Sequence, residues 1–580
     1  MGDDRRTFID ALTIDAPIFL FPVANSNLLS FSNQSNKFWR FKRMEDIMDS
    51  DNDNVAQRKL YKADENPPLP LTFLFGLQQV MVSVSVLVSI PFLISDEVCP
   101  GKDRDQLRVR LIAGTFVVCG LGTILQTALG LRLALLQGVA FAYIPSVRAY
   151  MNLEGNRCTA TINDYVPPEV YENKLAIVQG TLVVVSILKV FVGATGFIGK
   201  MTKYIGPMTV SSLLILLMLE SVTITVKRME QHWISLIMAV ALFATVLYLP
   251  RVQVPCPSVC GRQVQICWLQ CVWPISVFDG HFVLVDSVAR TDKNTTMLAI
   301  QNAPWVRVPL PGQFGMPKFN AGLFLAFIIS GLTTMFEAVG NYHAVARISE
   351  ERPPPSHAIN RGIIAEGLGC LIAALIGPCV GITTHAENVG VIGITRVASR
   401  VTMIFGGLTM IAFGLFTKLG AVLSAIPDPL VGVVLATSMA MVGGVAIANV
   451  QAVNLRITRN IAILGFSLMM GMVIPEYYKR NPGTVKTGVM TLDQMIEVLM
   501  SLPMFVGSFT AFVLDNTVGG ATRQQRGLRE RGVVWELAAD GRDIYAFPGP
   551  LQRAVEAIPL LKHMPFIPRH KKDFGNIKTG

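Results

Sequence analysis

GITTHAENVGVIGITR, residues 381–396, lies among apolar segments yet carries His385, Glu387 and Asn388 between runs of glycine and small residues. A carboxylate in that setting is costly unless the segment is broken and lines a polar site. The rest of the chain defines the setting. Of 580 residues, 51% are hydrophobic and 16% charged, and the mean hydropathy is +0.47. That balance is a membrane protein's. A bilayer core of about 30 Å takes about 20 apolar residues as helix. Candidate runs recur at 72–94, 109–129, 131–150, 175–199, 204–223, 233–250, 320–346, 361–378, 380–395, 401–420, 428–448, 459–476 and 495–515. These are roughly thirteen segments, several interrupted by Gly or Pro.

The formal charge of +10 does not imply a nucleic-acid partner, because the basic residues form no single patch. They fall where cytoplasmic loops belong: Lys200, Lys203, Arg251, Arg347, Arg352, Arg396, Arg400, Arg456, Arg459 and RHKK at 569–572. Both termini are therefore expected in the cytoplasm, as a polar N-terminal tail (1–66) and a C-terminal tail (516–580) around a transporter domain (67–515). No signal-peptide pattern opens the chain, so the first span is expected to direct insertion. Cytoplasmic termini require an even number of crossings. The stretch 264–286, VQICWLQCVWPISVFDGHFVLVD, is the expected missing one, which places Asn294 in the sequon NTT outside.

The two halves, about 67–290 and 315–515, each contain a short, interrupted third segment: LLQGVAFAYIPSVRAY (135–150) and GITTHAENVGVIGITR. Their fifth segments also correspond, IGPMTVSSLLILLM from Ile205 and IPDPLVGVVLATSM from Ile426. Paired broken segments in matching positions indicate a transporter of inverted repeats with its site between the breaks. Two carboxylates stand at that depth. One is Glu387; the other is Glu337, the single charge between Asn320 and Arg347. Capping or buried pairing is the structural alternative, but two carboxylates exceed what capping needs. For His385 and His343 the structural reading, a satisfied hydrogen-bonding group, ranks ahead of a ligand role.

ENVGVIGITR resembles the signature of the nucleobase-ascorbate transporter family (solute carrier family 23, xanthine/uracil permease-like), with Glu387, Asn388, Gly390, Thr395 and Arg396 in its defined places. FEAVGNYHAVARISEERPPPSHAINRGIIAEGLGC from Phe336 is similar to the helix-loop-helix before that signature in animal members. So are GLQQ at 76–79, VAFAYIP at 139–145, YIGPMTV at 204–210, LDNTVGGA at 514–521 and FPGPLQRAVEAIPLLKHMPFIP at 547–568. The resemblance covers nearly the whole chain from about residue 66. It implies an all-α polytopic fold of about fourteen segments in two inverted seven-segment repeats, with short broken segments 3 and 10. It also implies a substrate-carrying core, a gate and a homodimer. Glu337 and Glu387 would be the binding carboxylates, Phe141 the aromatic at the break of segment 3, and Gln78 and Gln79 the polar pair on segment 1. Ala142, Phe336, His385, Ala386, Asn388 and Asn341 complete the expected substrate-binding set. A planar heterocycle needs such a stacking face and such hydrogen-bond partners.

Three departures stand out. Gln79 replaces a frequent His, Asn341 replaces an Asp found in many members, and 264–286 is irregular where a clean helix is usual. Asn341 removes a possible cation ligand, so the coupling ion is left open between Na+ and H+. Cys256, Cys260, Cys267 and Cys271 are spaced too widely for a typical zinc site, and no metal site is expected. Spacing alone leaves a disulfide between Cys99 and Cys158 open. No phosphate-cradling loop accompanies the spans, which argues against an ATP-driven pump, and no nucleophile-base pair marks an enzyme. The expected function is uptake of nucleobases across the plasma membrane by cation coupling. Ascorbate is the alternative within the class, and a non-transporting membrane scaffold or receptor the alternative outside it. The resemblance links Pro at the signature's first position to ascorbate carriers and Glu or Gln there to nucleobase carriers; Glu387 stands there, so a nucleobase is favoured. Membrane lipid is the other expected partner.

Overall fold

The computed structural model describes residues 61–151, 165–201, 204–248, 294–481, 483–488 and 499–528, with parts of 493–497 and 544–567. Its first half contains α1 (Leu69–Val98), α2 (Arg104–Ala128), β1 (Gln137–Val139), a 3-10 turn (Phe141–Tyr143), α3 (Ile144–Met151), α4 (Pro168–Ala194), α5 (Phe197–Met201), α6 (Pro207–Met229) and α7 (Ile234–Tyr248). After α8 (Asn294–Asn302) come α9 (Ala321–Ile348), α10 (Ser356–Ile376), β2 (Ile382–Thr384), α11 (Ala386–Thr395), α12 (Arg400–Leu415), α13 (Thr417–Ser424), α14 (Asp428–Val450), α15 (Thr458–Arg480) and α16 (Pro503–Thr517). Local chemistry sets many of these boundaries. α1, α4, α6, α14 and α16 carry Pro in the first turn, where its missing N–H costs nothing. The Asn320 side chain caps α9 by accepting from Leu323 N at 3.0 Å. Gly377 ends α10 at φ +107°, a left-handed conformation that suits glycine.

Every apolar run read from the sequence contains a helix, but fewer of those helices span a membrane alone. Among the described residues, eight helices are long and apolar enough, or nine if α12 and α13, bent by 80° at their junction, are one span. The shortfall has a physical cause. Segments 3 and 10 are half-helices continued by strands, and α7 and α16 have only 15 residues each. Among the described residues the fold is all-helical apart from one short two-stranded sheet in the same place. β1 and β2 pair antiparallel, with Gln137 opposite Thr384, Gly138 opposite Thr383 and Val139 opposite Ile382. Ala140 N donates to Gly381 O at 2.8 Å and His385 N to Leu136 O at 3.0 Å, extending the ladder at both ends. Two broken helices thus satisfy each other's backbone groups, which hydrocarbon could not do.

Packing divides the helices into two groups. In the first, α12 lies on α1 and α2, α10 on α2 and α4, and α9 on α4. In the second, α14 lies on α6 and α7, and α15 and α16 lie on each other and on α6. The groups meet where α14 touches α1 and α11, and where α6 touches α9. Small residues permit the closest crossings. A Cβ on Gly120 of α2 would stand 2.5 Å from Gly407 O of α12.

The stretch 264–286 and Cys256, Cys260, Cys267, Cys271 and Cys158 lie outside the described residues. Cys99 is disulfide-bonded. Asn294 opens α8, whose Thr296 donates to Asp105 Oδ2 at 3.0 Å, so the sequon lies beside the start of α2. If that face is extracellular, Asn294→Gln removes a glycosidase-sensitive mass shift. A tag at position 290 reached only after permeabilisation refutes the crossing expected at 264–286.

Candidate functional site

The paired strands bring the two broken segments together and fix what surrounds them. α11 begins directly after β2, so His385, Ala386, Glu387 and Asn388 form its N-terminal turn. Across the sheet, β1 leads into the turn that holds Phe141 and Ala142, both buried. The His385 ring occupies the space over Gly138 so closely that any Cβ there would overlap it, which accounts for the glycine. α1 is fastened to this junction: Asn388 Nδ2 donates to Gln79 O at 2.9 Å and Gln79 Oε1 at 2.7 Å. Ser83 Oγ completes the clamp by donating to Asn388 Oδ1 at 3.1 Å. α9 closes the other side. Asn341 Nδ2 donates to Thr384 O at 2.9 Å, and Glu337 stands one turn earlier on the same helix face.

Within this arrangement several polar atoms lack partners. Glu337 is 7% exposed and has no hydrogen bond or ion pair among the described residues. Glu387 is 6% exposed, and its Oε2 lies 4.0 Å from His385 Nδ1, a charged contact only if that ring is protonated. Glu337 is near enough to Glu366, Glu387 and Lys189 for their charges to interact. Gln78 Oε1, Asn341 Oδ1 and His385 Nδ1 are also buried without a hydrogen bond among the described residues. Unsatisfied groups of this kind cost stability unless a ligand or ion completes them. His343 behaves differently, its Nδ1 lying 2.8 Å from Val339 O of its own helix. Phe336, beside Glu337 on α9, packs against the apolar cluster that contains Ile205, Val210 and Val442, at the junction with the second helix group.

Sequence reasoning missed a second buried network behind the sheet. Lys189 of α4 pairs with Glu366 of α10 at 2.6 Å, with side chains 1% and 0% exposed. Lys189 Nζ also donates to Thr334 Oγ1 at 3.1 Å. Tyr342 OH donates to Glu366 Oε2 at 3.1 Å and accepts from Gln126 Nε2 at 2.8 Å. The Cys370 thiol, on α10, reaches Ile382 O of β2 at 3.3 Å. The signal was present, since Lys189 and Glu366 are each the only charge in a long apolar run. No pattern announced that they pair.

Comparison with known proteins gives the family of the chain. The Permease family model Xan_ur_permease matches residues 71–479, more than half of the chain. Solute carrier family 23 member 1 of Rattus norvegicus is 34% identical over 508 residues, covering 83% of each chain. Solute carrier family 23 member 2 of Homo sapiens is 32% identical over 561 residues, 90% of this chain and 85% of the relative. Nucleobase-ascorbate transporter 5 of Arabidopsis thaliana is 29% identical, with 84% and 94% covered. Among solved structures, the transmembrane domain of a cyanobacterium bicarbonate transporter BicA aligns with a TM-score of 0.41 at 11% identity, over 79% of this chain and all of that one. By its family match and its relatives, the protein is a multi-pass membrane transporter and not an enzyme. With the family model matching residues 71–479 and relatives alike along most of their length, the chain belongs to the xanthine/uracil permease family, among the nucleobase-ascorbate transporters of solute carrier family 23.

Proposed function

We propose that the protein is a secondary-active carrier of nucleobases, of uracil or purine type, coupled to Na+ or H+ in the plasma membrane. The observation that carries this reading is the pair Glu337 and Glu387, buried beside the meeting point of the broken segments with no side-chain hydrogen bond to satisfy either among the described residues. A neutral heterocycle supplies the ring N–H donors such acceptors require, and Phe141 would offer a stacking face. Gln78, Gln79, Asn341, His385 and Asn388 would complete the binding set, with Ala142, Ala386 and Phe336 shaping it. An anion is the poorer fit. It would meet two carboxylates, while Lys189, the buried cation whose charge reaches Glu337, is committed to Glu366. Ascorbate remains the second reading because the plant relatives carry both solutes in their name.

The transport architecture follows the same reading. The first helix group serves as the substrate-carrying core and the second as the gate, in two inverted repeats of seven segments, 67–290 and 315–515. Support comes from contacts that persist when the halves are exchanged: α2 on α12 corresponds to α4 on α10, while β1 with β2 and α6 with α14 pair their own counterparts. α15 exposes Ile461, Phe466, Met469 and Val473, an apolar face suited to lipid or to a second copy in a homodimer. The tails 1–66 and 516–580 are assigned to the cytoplasm.

Uptake of radiolabelled uracil, xanthine, hypoxanthine and ascorbate, with Na+ and pH varied, tests the assignment. Robust uptake of ascorbate alone overturns the substrate. No uptake of any solute by surface-expressed protein favours the scaffold. Specificity provides a sharper test. A site built around a substrate N–H rejects analogues lacking it by about 10⁴-fold in favourable cases. If Glu387 accepts from a ring N–H, N-methylation at that edge abolishes competition, and Glu387→Gln reorders preference among the bases. Glu387→Pro is expected to lose nucleobase uptake without creating ascorbate transport. Identical competition profiles in the parent and Glu387→Gln remove the residue from the site.

A further inference from the structure

Five charged side chains converge at one end of the bundle, away from the binding carboxylates. Asp96 ends α1, Arg104 and Arg108 begin α2, Arg228 ends α6 and Asp428 begins α14. Arg104 Nη2 donates to Asp96 Oδ1 at 2.7 Å and to Asp428 Oδ2 at 3.0 Å. Arg108 Nη2 lies 3.0 Å from both Asp96 Oδ1 and Asp428 Oδ1. Arg228 reaches Asp96 Oδ2 at 2.6 Å and Asp428 Oδ1 at 3.1 Å. Each of the three arginines therefore bridges both aspartates. Arg108 is further held by Ser95 Oγ, which accepts from its Nε at 3.0 Å, and by the Phe92 ring beneath its guanidinium.

The membership of this cluster gives it meaning. Asp96, Arg104 and Arg108 belong to the first helix group, Arg228 and Asp428 to the second, so the pairs of Arg104 and Arg108 with Asp428 and the Arg228–Asp96 pair cross between groups. A rigid scaffold could have buried apolar side chains here at no greater cost, because desolvating ions offsets much of what their pairing returns. Ion pairs at a helix-end face have another property: water solvates them as they separate, so the contact can break and reform. We propose that Asp96, Arg104, Arg108, Arg228 and Asp428 form a latch between the two helix groups on the external face, closed in this structure and opened once in each transport cycle. The external placement agrees with the Asn294 sequon, whose Thr296 is bonded to Asp105 next to Arg104. The inference rests on the transport reading above, because it assumes that the two groups move relative to each other.

Weakening the latch raises the fraction of protein open to the outside. Apparent affinity scales with the competent fraction, so Asp428→Asn is expected to lower the KM for external substrate by about 3- to 10-fold while Vmax falls as the return step slows. Arg104→Gln removes the most exposed arginine and leaves Arg108 and Arg228 on both aspartates. It serves if Asp428→Asn does not reach the surface, and is expected to shift KM in the same direction. Ser95→Cys supplies a readout that needs no substrate, since residue 95 is buried beneath Arg108 while the cluster is intact. Labelling of the introduced thiol by a membrane-impermeant methanethiosulfonate, above the background of protein without the added cysteine, is expected to accelerate several-fold when either latch substitution is added. An unchanged labelling rate, or a lowered Vmax with unchanged KM, overturns the latch; labelling only after permeabilisation overturns its external placement. If the parent transports none of the solutes tested, the transport reading fails, and the labelling rates of the Ser95→Cys proteins alone decide whether the cluster opens.

Discussion

Glu337→Gln is expected to reduce uptake to background while the protein reaches the cell surface at parental level. The substitution keeps the shape of the side chain and one acceptor oxygen but removes the charge and the titratable proton. An ionisable group at membrane depth costs roughly 2.5 kcal/mol or more, and among the described residues no hydrogen bond or ion pair is made by the Glu337 carboxylate, while Lys189, the cation whose charge reaches it, is paired with Glu366. A neutral amide is cheaper to bury, so folding is not the step expected to suffer. Binding and coupling are, because a carboxylate accepts strong hydrogen bonds from substrate N–H groups and can hold a cation or proton, whereas an amide does neither as well. Surface biotinylation beside substrate uptake separates the two outcomes. Near-parental uptake by well-expressed Glu337→Gln protein removes this residue from the mechanism.

The second large effect concerns assembly. Lys189→Met or Glu366→Gln alone leaves one charge buried without its partner, a loss of about 3–5 kcal/mol in comparable buried pairs. Either single variant is therefore expected to be retained inside the cell or to unfold at markedly lower temperature in detergent. The double variant is expected to recover most of that loss, since replacing both members of a buried pair is often close to neutral. In it, the new amide at position 366 still offers an acceptor to Tyr342, and Thr334 keeps its bond to Gly331 O at 2.8 Å. A double variant no more stable than the singles would show that the pair does more than neutralise itself.

The contrast between these two sites shows what the sequence made legible. Glu337 and Glu387 could be singled out because a lone carboxylate in an apolar run is expensive whatever surrounds it. Lys189 and Glu366 met the same criterion, but their partnership spans 177 residues and leaves no trace in either segment. Asp96, Arg104, Arg108, Arg228 and Asp428 were hidden for another reason. Charges at helix ends look like ordinary loop charges, and only the packing of α14 on both α1 and α6, with α2 beside α1, turns them into a cluster. The broken segments were visible from their glycines and polar residues, while β1 and β2 were not, because a three-residue strand is too short to display a period of two.

The β1–β2 pair also constrains how the protein is made. Gln137 and Thr384 are separated by 247 residues, yet they face each other across the ladder and share a hydrogen bond from Gln137 Nε2 to Thr384 Oγ1 at 2.9 Å. During synthesis the first strand emerges long before its partner, and in hydrocarbon its exposed N–H and C=O groups find no water to substitute. The early half must therefore shelter that segment against its own helices or the insertion machinery until translation has passed residue 384. A chain ending between the halves would insert helices but could not build the ladder, which makes biogenesis most exposed to error while α9 and α10 are still being placed.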